Sequence, residues 1–409
     1  MVQSTKTVRE ARAFGYFRDQ TLPDLLEYFD SDFWSRLLLQ YSESHAAVHY
    51  ALVALSTQHE MASRSIGSVS YGEQNFALRQ YTKAIGLVNR ELQTKREGDV
   101  TEAALVCCLL FIYYESLQDN FKNALLHLEN GLKACNWMYA NTNLLVSSVI
   151  PQLYQIFSRL DTQATAFLDS RPPEYPAVSG TLTYDFIDTH GAREELDLLV
   201  KQTFDFLTNL QNYKLLNRAQ APSDIVFQHA TLDTSLQKYG AALDALISKK
   251  ELGLTRRDLC AVTLMKIHQK AVRIMILGFF SDFENPIDML TPDFESIIQL
   301  AKSMLDVRLS TNKPTRRAGF SADMGLIPPL YFTAMQCRST SIRQEAISLL
   351  RLYDTREGLW SSRIAAQIAE KMLPYQVNAV FEGMDDTGIP RLMETLGLGS
   401  HEGNYLPLD

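Results

Sequence analysis

Residues 100–116 read VTEAALVCCLLFIYYES, and from Ala103 to Tyr114 the run is apolar without a break. Twelve residues fall well short of the ~20 needed to cross a bilayer, so the run is not a membrane span. An uninterrupted apolar helix has no face to offer water, so other helices must surround it. On either side of this run, apolar residues recur at spacings of three and four, while alternation with period two is almost absent. That pattern predicts an all-α fold, a large multi-helix bundle of antiparallel helical pairs.

Upstream, Phe33, Trp34, Leu37, Leu38 and Tyr41 share one helical face after a possible cap at Asp30, and Val48, Ala51, Leu52, Leu55 and Ala62 share another. A third helix is predicted from Tyr71 through Tyr81 to Leu92. Downstream, Phe121, Leu125, Leu128 and Leu132 form one stripe, and Leu153, Phe157 and Leu160 the next, with Pro151 expected to kink or restart that helix. RPPEYPAVSGTLTY (171–184) reads as an internal linker or long loop, a candidate junction between two packed lobes. Further helices follow, among them one opening at Thr291-Pro292. The aperiodic segment 311–329 is expected to be a long connection, and Ser341-x-x-Gln344 resembles a capping box. After Pro374 the chain is punctuated by Gly and Pro, and 374–409 is expected to be a loosely ordered tail.

The 409 residues are 46% hydrophobic and 21% charged, the composition of a folded globular chain. Forty-seven acids against 39 bases leave a net charge of −8, which disfavours non-specific attraction to phosphate backbones. The five cysteines at 107, 108, 135, 260 and 337 have no CxxC spacing, and the N-terminus lacks a secretory signal, so an intracellular, reducing setting is expected.

Catalytic motifs fail on inspection. IGSVSYG (66–72) has Ser68 where a nucleophile elbow needs glycine, and LGLGSHEG (396–403) places its third glycine one position too late for a dinucleotide fingerprint. No cofactor is expected. His45 and His49 lie four apart, with His59 and Glu60 further along, a spacing that binds metal only if a further ligand joins them. The blander expectation is a core or boundary histidine at 49 and no metal. Tyr113 and Glu115 at the end of the apolar helix, and Asp161 at the margin of the next, are polar groups that must find partners. His49, His59, Tyr113, Glu115 and Asp161 are therefore the candidate pocket residues, with structural pairing as the competing reading.

RAFGYFRDQTLPDLLEYFDSDFWSRLLLQYSESHAAVHYALVALSTQHE (12–60), FALRQYTKAIG (76–86), ALVCCLLFIYYESLQDNFKNALLHLENGLK (104–133), LYQIFSRLDTQATAF (153–167), GFSADMGLIPPLYFTAMQCR (319–338), IRQEAISLL (342–350) and REGLWSSRIAAQIAE (356–370) form an ordered set. The set resembles the fungal-specific transcription factor domain, the helical regulatory region found behind the zinc-cluster DNA-binding module of fungal regulators. The likeness covers most of 12–373 and leaves 1–11 as a short lead. Nowhere does the chain show the six-cysteine array of the zinc cluster, so the resemblance implies a regulatory domain that does not read DNA directly.

Three readings follow from the resemblance. In the first, the chain is a regulator acting through a protein partner or small-molecule effector, in nucleus or cytoplasm, linked to fungal secondary metabolism. In the second, ranked below it, the fold is a cofactor-independent cyclase, pericyclase or isomerase that uses the candidate pocket. A dimerisation scaffold, the chain acting as a homodimer, is the third.

Overall fold

A computed structural model describes residues 7–64, 70–93, 102–141, 147, 149–167, 171, 173–174, 180–213, 222–250, 253–279, 290–309 and 319–373; the expected tail 374–409 and parts of 171–184 and 311–329 lie outside them. The described chain is overwhelmingly helical, and the all-α expectation holds. Its described residues divide into two compact units, one within 7–22 and 33–160, the other within 23–32 and 161–373. The division falls inside a helix, between Leu160 and Asp161.

The first unit opens with α1 (Val8–Tyr16), started by a reciprocal capping box: Thr7 Oγ1 accepts from Glu10 N at 3.2 Å, and Thr7 N donates to the Glu10 carboxylate at 2.9 Å. A π-helical turn, Phe17–Thr21, leads into the short α2 (Leu22–Leu25), of which only Leu22 belongs to this unit. The stripe at 33–41 is not one regular helix: a π turn over Phe33–Leu37 precedes α3 (Leu38–Ser44). Extended His45 (φ −123°) separates α3 from α4 (Ala46–Ala62). Next come α5 (Tyr71–Gln93), α6 (Glu102–Ser116), α7 (Phe121–Asn141) and α8 (Ile150–Phe167).

The apolar run at 103–114 is α6, and it takes the position its composition requires. It packs against α4, α5 and α7, and Val106, Cys107, Leu109, Leu110, Ile112 and Tyr113 are fully buried. Pro151 restarts rather than kinks its helix, standing second in α8, where no intrahelical N–H is missed. Ser147 Oγ accepts from Val149 N (3.3 Å) and Ile150 N (3.1 Å) and so serves that helix start.

In the second unit, α9 (Thr189–Tyr213), α10 (Ser223–Lys250) and α11 (Arg256–Phe279) pack on one another, and α12 (Thr291–Leu309) packs on α11. Part of the expected connection at 311–329 is a strand, β1 (Gly319–Ser321). It runs parallel to β2 (Thr355–Glu357), which pairs antiparallel with β3 (Trp360–Ser361). Strands of two or three residues are too short to show an alternating pattern, so only long-range pairing reveals them. Around this sheet stand α13 (Ile327–Gln336), α14 (Thr340–Tyr353) and α15 (Ser362–Met372). The capping box expected at Ser341 is not formed. The helix begins at Thr340, with extended Ser339 as its cap residue and Ser341 already inside the first turn, its Oγ 2.9 Å from Ser339 Oγ.

Candidate functional site

In the first unit, the C-terminal turn of α6 carries a buried carboxylate at the negative end of a helix, where an acid is disfavoured unless donors meet it. Glu115 has them: Tyr81 from α5 donates its hydroxyl to Oε1 at 2.6 Å, and Asn120 Nδ2 donates to Oε2 at 2.8 Å. Asn120 is set by the tight turn that follows the helix, where Asp119 adopts φ 59° and Asn120 N returns to the Glu115 carbonyl at 3.0 Å. The Tyr81 hydroxyl also lies 2.9 Å from His127 Nε2 on α7. Its single proton is committed to Glu115, so His127 Nε2–H is the donor and Nδ1 is the acceptor of the neutral ring.

Burial lowers the His127 pKa below its ordinary value, keeping the ring neutral. Aromatic rings wrap the group: Tyr81 stacks on Tyr114 at 4.4 Å and meets Phe111 edge-on at 5.0 Å. Cys108 donates its thiol to the His127 carbonyl at 2.9 Å, and burial pushes that thiol up to about 12, so it is not a nucleophile at neutral pH.

The other sequence-derived candidates have environments of their own. Tyr113 is fully buried, edge-on to Trp34 at 5.5 Å. His49 stacks on Phe14 at 6.1 Å, and His59 Nδ1 lies 3.0 Å from Thr21 Oγ1 with Tyr16 against the ring edge. His45 stacks on Tyr41 and meets Ser44 Oγ, while Glu60 pairs with Arg12 and Arg64. Among the described residues no group of three or more His, Cys, Asp or Glu side chains is placed to hold a metal. Asp161 belongs to the second unit: Arg171 Nη1 donates to its Oδ1 at 2.6 Å and Glu174 N to Oδ2 at 2.9 Å.

Sequence reading missed a buried polar cluster in the second unit. Glu357, at the end of β2, is completely buried and receives three backbone N–H groups. These are Gly325 N and Ile327 N to Oε2, both at 2.9 Å, and Leu326 N to Oε1 at 2.8 Å. They are the entry to α13, whose first turn contains Pro328 and Pro329, so a carboxylate from a distant strand fills the anion position of this helix start.

Tyr353 also hydrogen-bonds the carboxylate, and the Tyr353 hydroxyl lies 2.6 Å from that of Tyr28. The Arg308 guanidinium sits over the Tyr353 ring at 5.0 Å and pairs with Glu27 at 3.1 Å. Desolvation pushes the Glu357 carboxyl from 4.5 up to about 7, outweighing the N–H and Tyr353 bonds that favour its charged form. The glycines here are dictated by contact. A Cβ on Gly325 would collide with Glu357 Oε1, and Gly358 (φ +56°) leaves no room for one beside Gln163. Gln163 accepts from Leu359 N at 3.1 Å and donates to the Ala322 carbonyl at 3.3 Å, clamping the two loops.

With both carboxyl oxygens engaged by backbone donors, Glu357 acts as a structural latch between β2 and the start of α13. Glu357 lies in the family-like segment 356–370 and its three backbone donors lie in another, 319–338. The profile of the fungal specific transcription factor domain matches residues 12–372. The chain belongs to that family. Membership carries a regulatory role, and no zinc-cluster domain is detected alongside the match. No curated protein and no solved structure matches the chain. Among the described residues of this fungal transcription factor domain, no helix is long and apolar enough to cross a membrane.

Proposed function

We propose that this domain regulates transcription in the nucleus by binding a protein partner or a small effector, without itself contacting DNA and without catalysing a reaction. The observation that carries the reading is the family match over 12–372. The polar side chains support it: Glu115, Asp161 and Glu357 each have both carboxylate oxygens engaged by protein donors, the mark of groups that hold a scaffold together. The charge of −8 is consistent with recruitment by other proteins rather than by a phosphate backbone.

The test is a fusion of the full chain to a heterologous DNA-binding module upstream of a reporter, together with deletion of the gene and measurement of transcripts and metabolites. Altered reporter output and altered transcripts are expected. Unchanged transcripts with accumulation of a pathway intermediate would instead establish the biosynthetic-enzyme reading.

A further inference from the structure

Residues 23–32, PDLLEYFDSD, belong to the second unit, although the chain before and after them belongs to the first. Past the end of α2 at Leu25, residues 26–31 form neither helix nor strand. Side chains hold this strap instead. Leu25, Tyr28 and Phe29 are buried as its apolar anchors, and the Tyr28 hydroxyl meets that of Tyr353 at 2.6 Å. Three arginines from three helices grip the rest. Arg193 of α9 lies over the Phe29 ring at 4.2 Å, Arg257 of α11 pairs with Asp30 and donates to the Leu26 carbonyl, and Arg308 of α12 pairs with Glu27 at 3.1 Å.

We propose that this three-arginine seat is a docking site for an acidic segment of a partner protein that carries leucine and aromatic anchors, and that residues 23–32 plug it in cis until such a segment displaces them. The chemistry of the partner is read from the strap that now fills the seat. Its ten residues include four acids, Asp24, Glu27, Asp30 and Asp32, and no base. Clusters of arginine are a recurrent means of recognising acidic motifs.

Electrostatics favours replacement over simple opening. When the strap leaves, Asp30 is taken from Arg257 and Glu27 from Arg308, and a partly buried charge is costly once its counter-charge is gone. A second acidic segment restores both pairs. In a chain of net charge −8 this local group of cations also distinguishes the seat from the rest of the surface.

The strap is built to leave. Because side chains rather than a helical or strand ladder hold residues 26–31, they can come away without unravelling a regular element. In sequence the strap is flanked by two π turns, Phe17–Thr21 before it and Phe33–Leu37 after it. Such turns are rare, gather at functional sites and hold an extra residue, which gives the strap slack on both sides. This inference names the partner chemistry that the regulatory reading calls for, and it rests on that reading.

The test is fluorescence anisotropy of a labelled LPDLLEYFDSD peptide, residues 22–32, against the full chain. In the wild type the tethered copy competes at high effective concentration, so the peptide should bind weakly, and Tyr28→Ala with Phe29→Ala in the chain should raise its affinity about tenfold or more. Glu27→Gln with Asp30→Asn should raise it by a smaller factor. That pair keeps the apolar anchors, and Asp30 is 89% exposed, so the fold is preserved. Adding Arg257→Gln to either variant should reverse the gain, and a peptide whose four acids are changed to amides should not bind. A strap variant that keeps its helical circular dichroism yet binds the peptide no better than wild type would overturn the proposal, as would a gain that survives Arg257→Gln. The readout is capture of a peptide by purified protein, so it can fail while the reporter fusion still responds, and the reverse.

Discussion

At the residue scale, single contacts that the chain brings together from far apart carry much of its specificity. Glu357→Gln replaces one acceptor oxygen with an amide donor, so one N–H at the start of α13 loses its partner, at about 1–3 kcal/mol in denaturant unfolding. The sign of its pH dependence follows from the raised pKa. The folded carboxyl holds its proton up to about 7, whereas an unfolded one releases it near 4.5. Its stabilising contribution is therefore complete below about 4.5 and is lost as pH climbs to about 7, at most about 3 kcal/mol across that window. Unfolding curves at a series of pH values should show this slope in the wild type and its loss in Glu357→Gln. Gly358→Ala adds a left-handed strain to a collision with Gln163 and should cost about 2 kcal/mol or more in the same assay. Tyr81→Phe strips Glu115 and His127 of their common partner and should cost about 1–3 kcal/mol.

At the element scale, legibility in the sequence tracked length. The run that became α6 was readable because its composition alone demands burial on every side. The long stripes of α7 and α8 were likewise readable, and the restart at Pro151 is placed by the missing N–H of proline. The three short strands were invisible, since Gly319–Ser321 finds its partner Thr355–Glu357 only after the chain has returned past α14. The helix start at Thr340 was misplaced by two residues because Ser339 and Ser341 are equally good cap types, and local sequence does not rank them. Asp161 shows the same limit. Its burial against Arg171 and the Glu174 backbone depends on how the chain leaves α8, and Asp161→Ala should cost about 3 kcal/mol by removing the acceptor of both Arg171 Nη1 and Glu174 N, leaving Arg171 with its longer ion pair to Glu174 at 3.4 Å.

At the scale of the whole molecule, the net charge of −8 and the family membership point the same way. Fluorescence anisotropy of the chain with random-sequence duplex DNA at physiological salt should show no saturable binding in the micromolar range typical of non-specific DNA binders. The fungal transcription factor domain was recognisable because its segments keep their order along the chain, although none is diagnostic alone.

The sequence by itself determined the all-helical class, the buried position of the 103–114 helix and the family, because hydrophobic periodicity and segment order are properties of the linear chain. Only the tertiary structure decided which polar groups are joined. Glu357 meets residues 325–327 and the Tyr28–Tyr353 pair, and Glu115 meets Tyr81 and Asn120, through hydrogen bonds that act over about 3 Å but span up to hundreds of residues of chain. A directional contact of that reach leaves no period in the sequence, whereas burial of a helix face does.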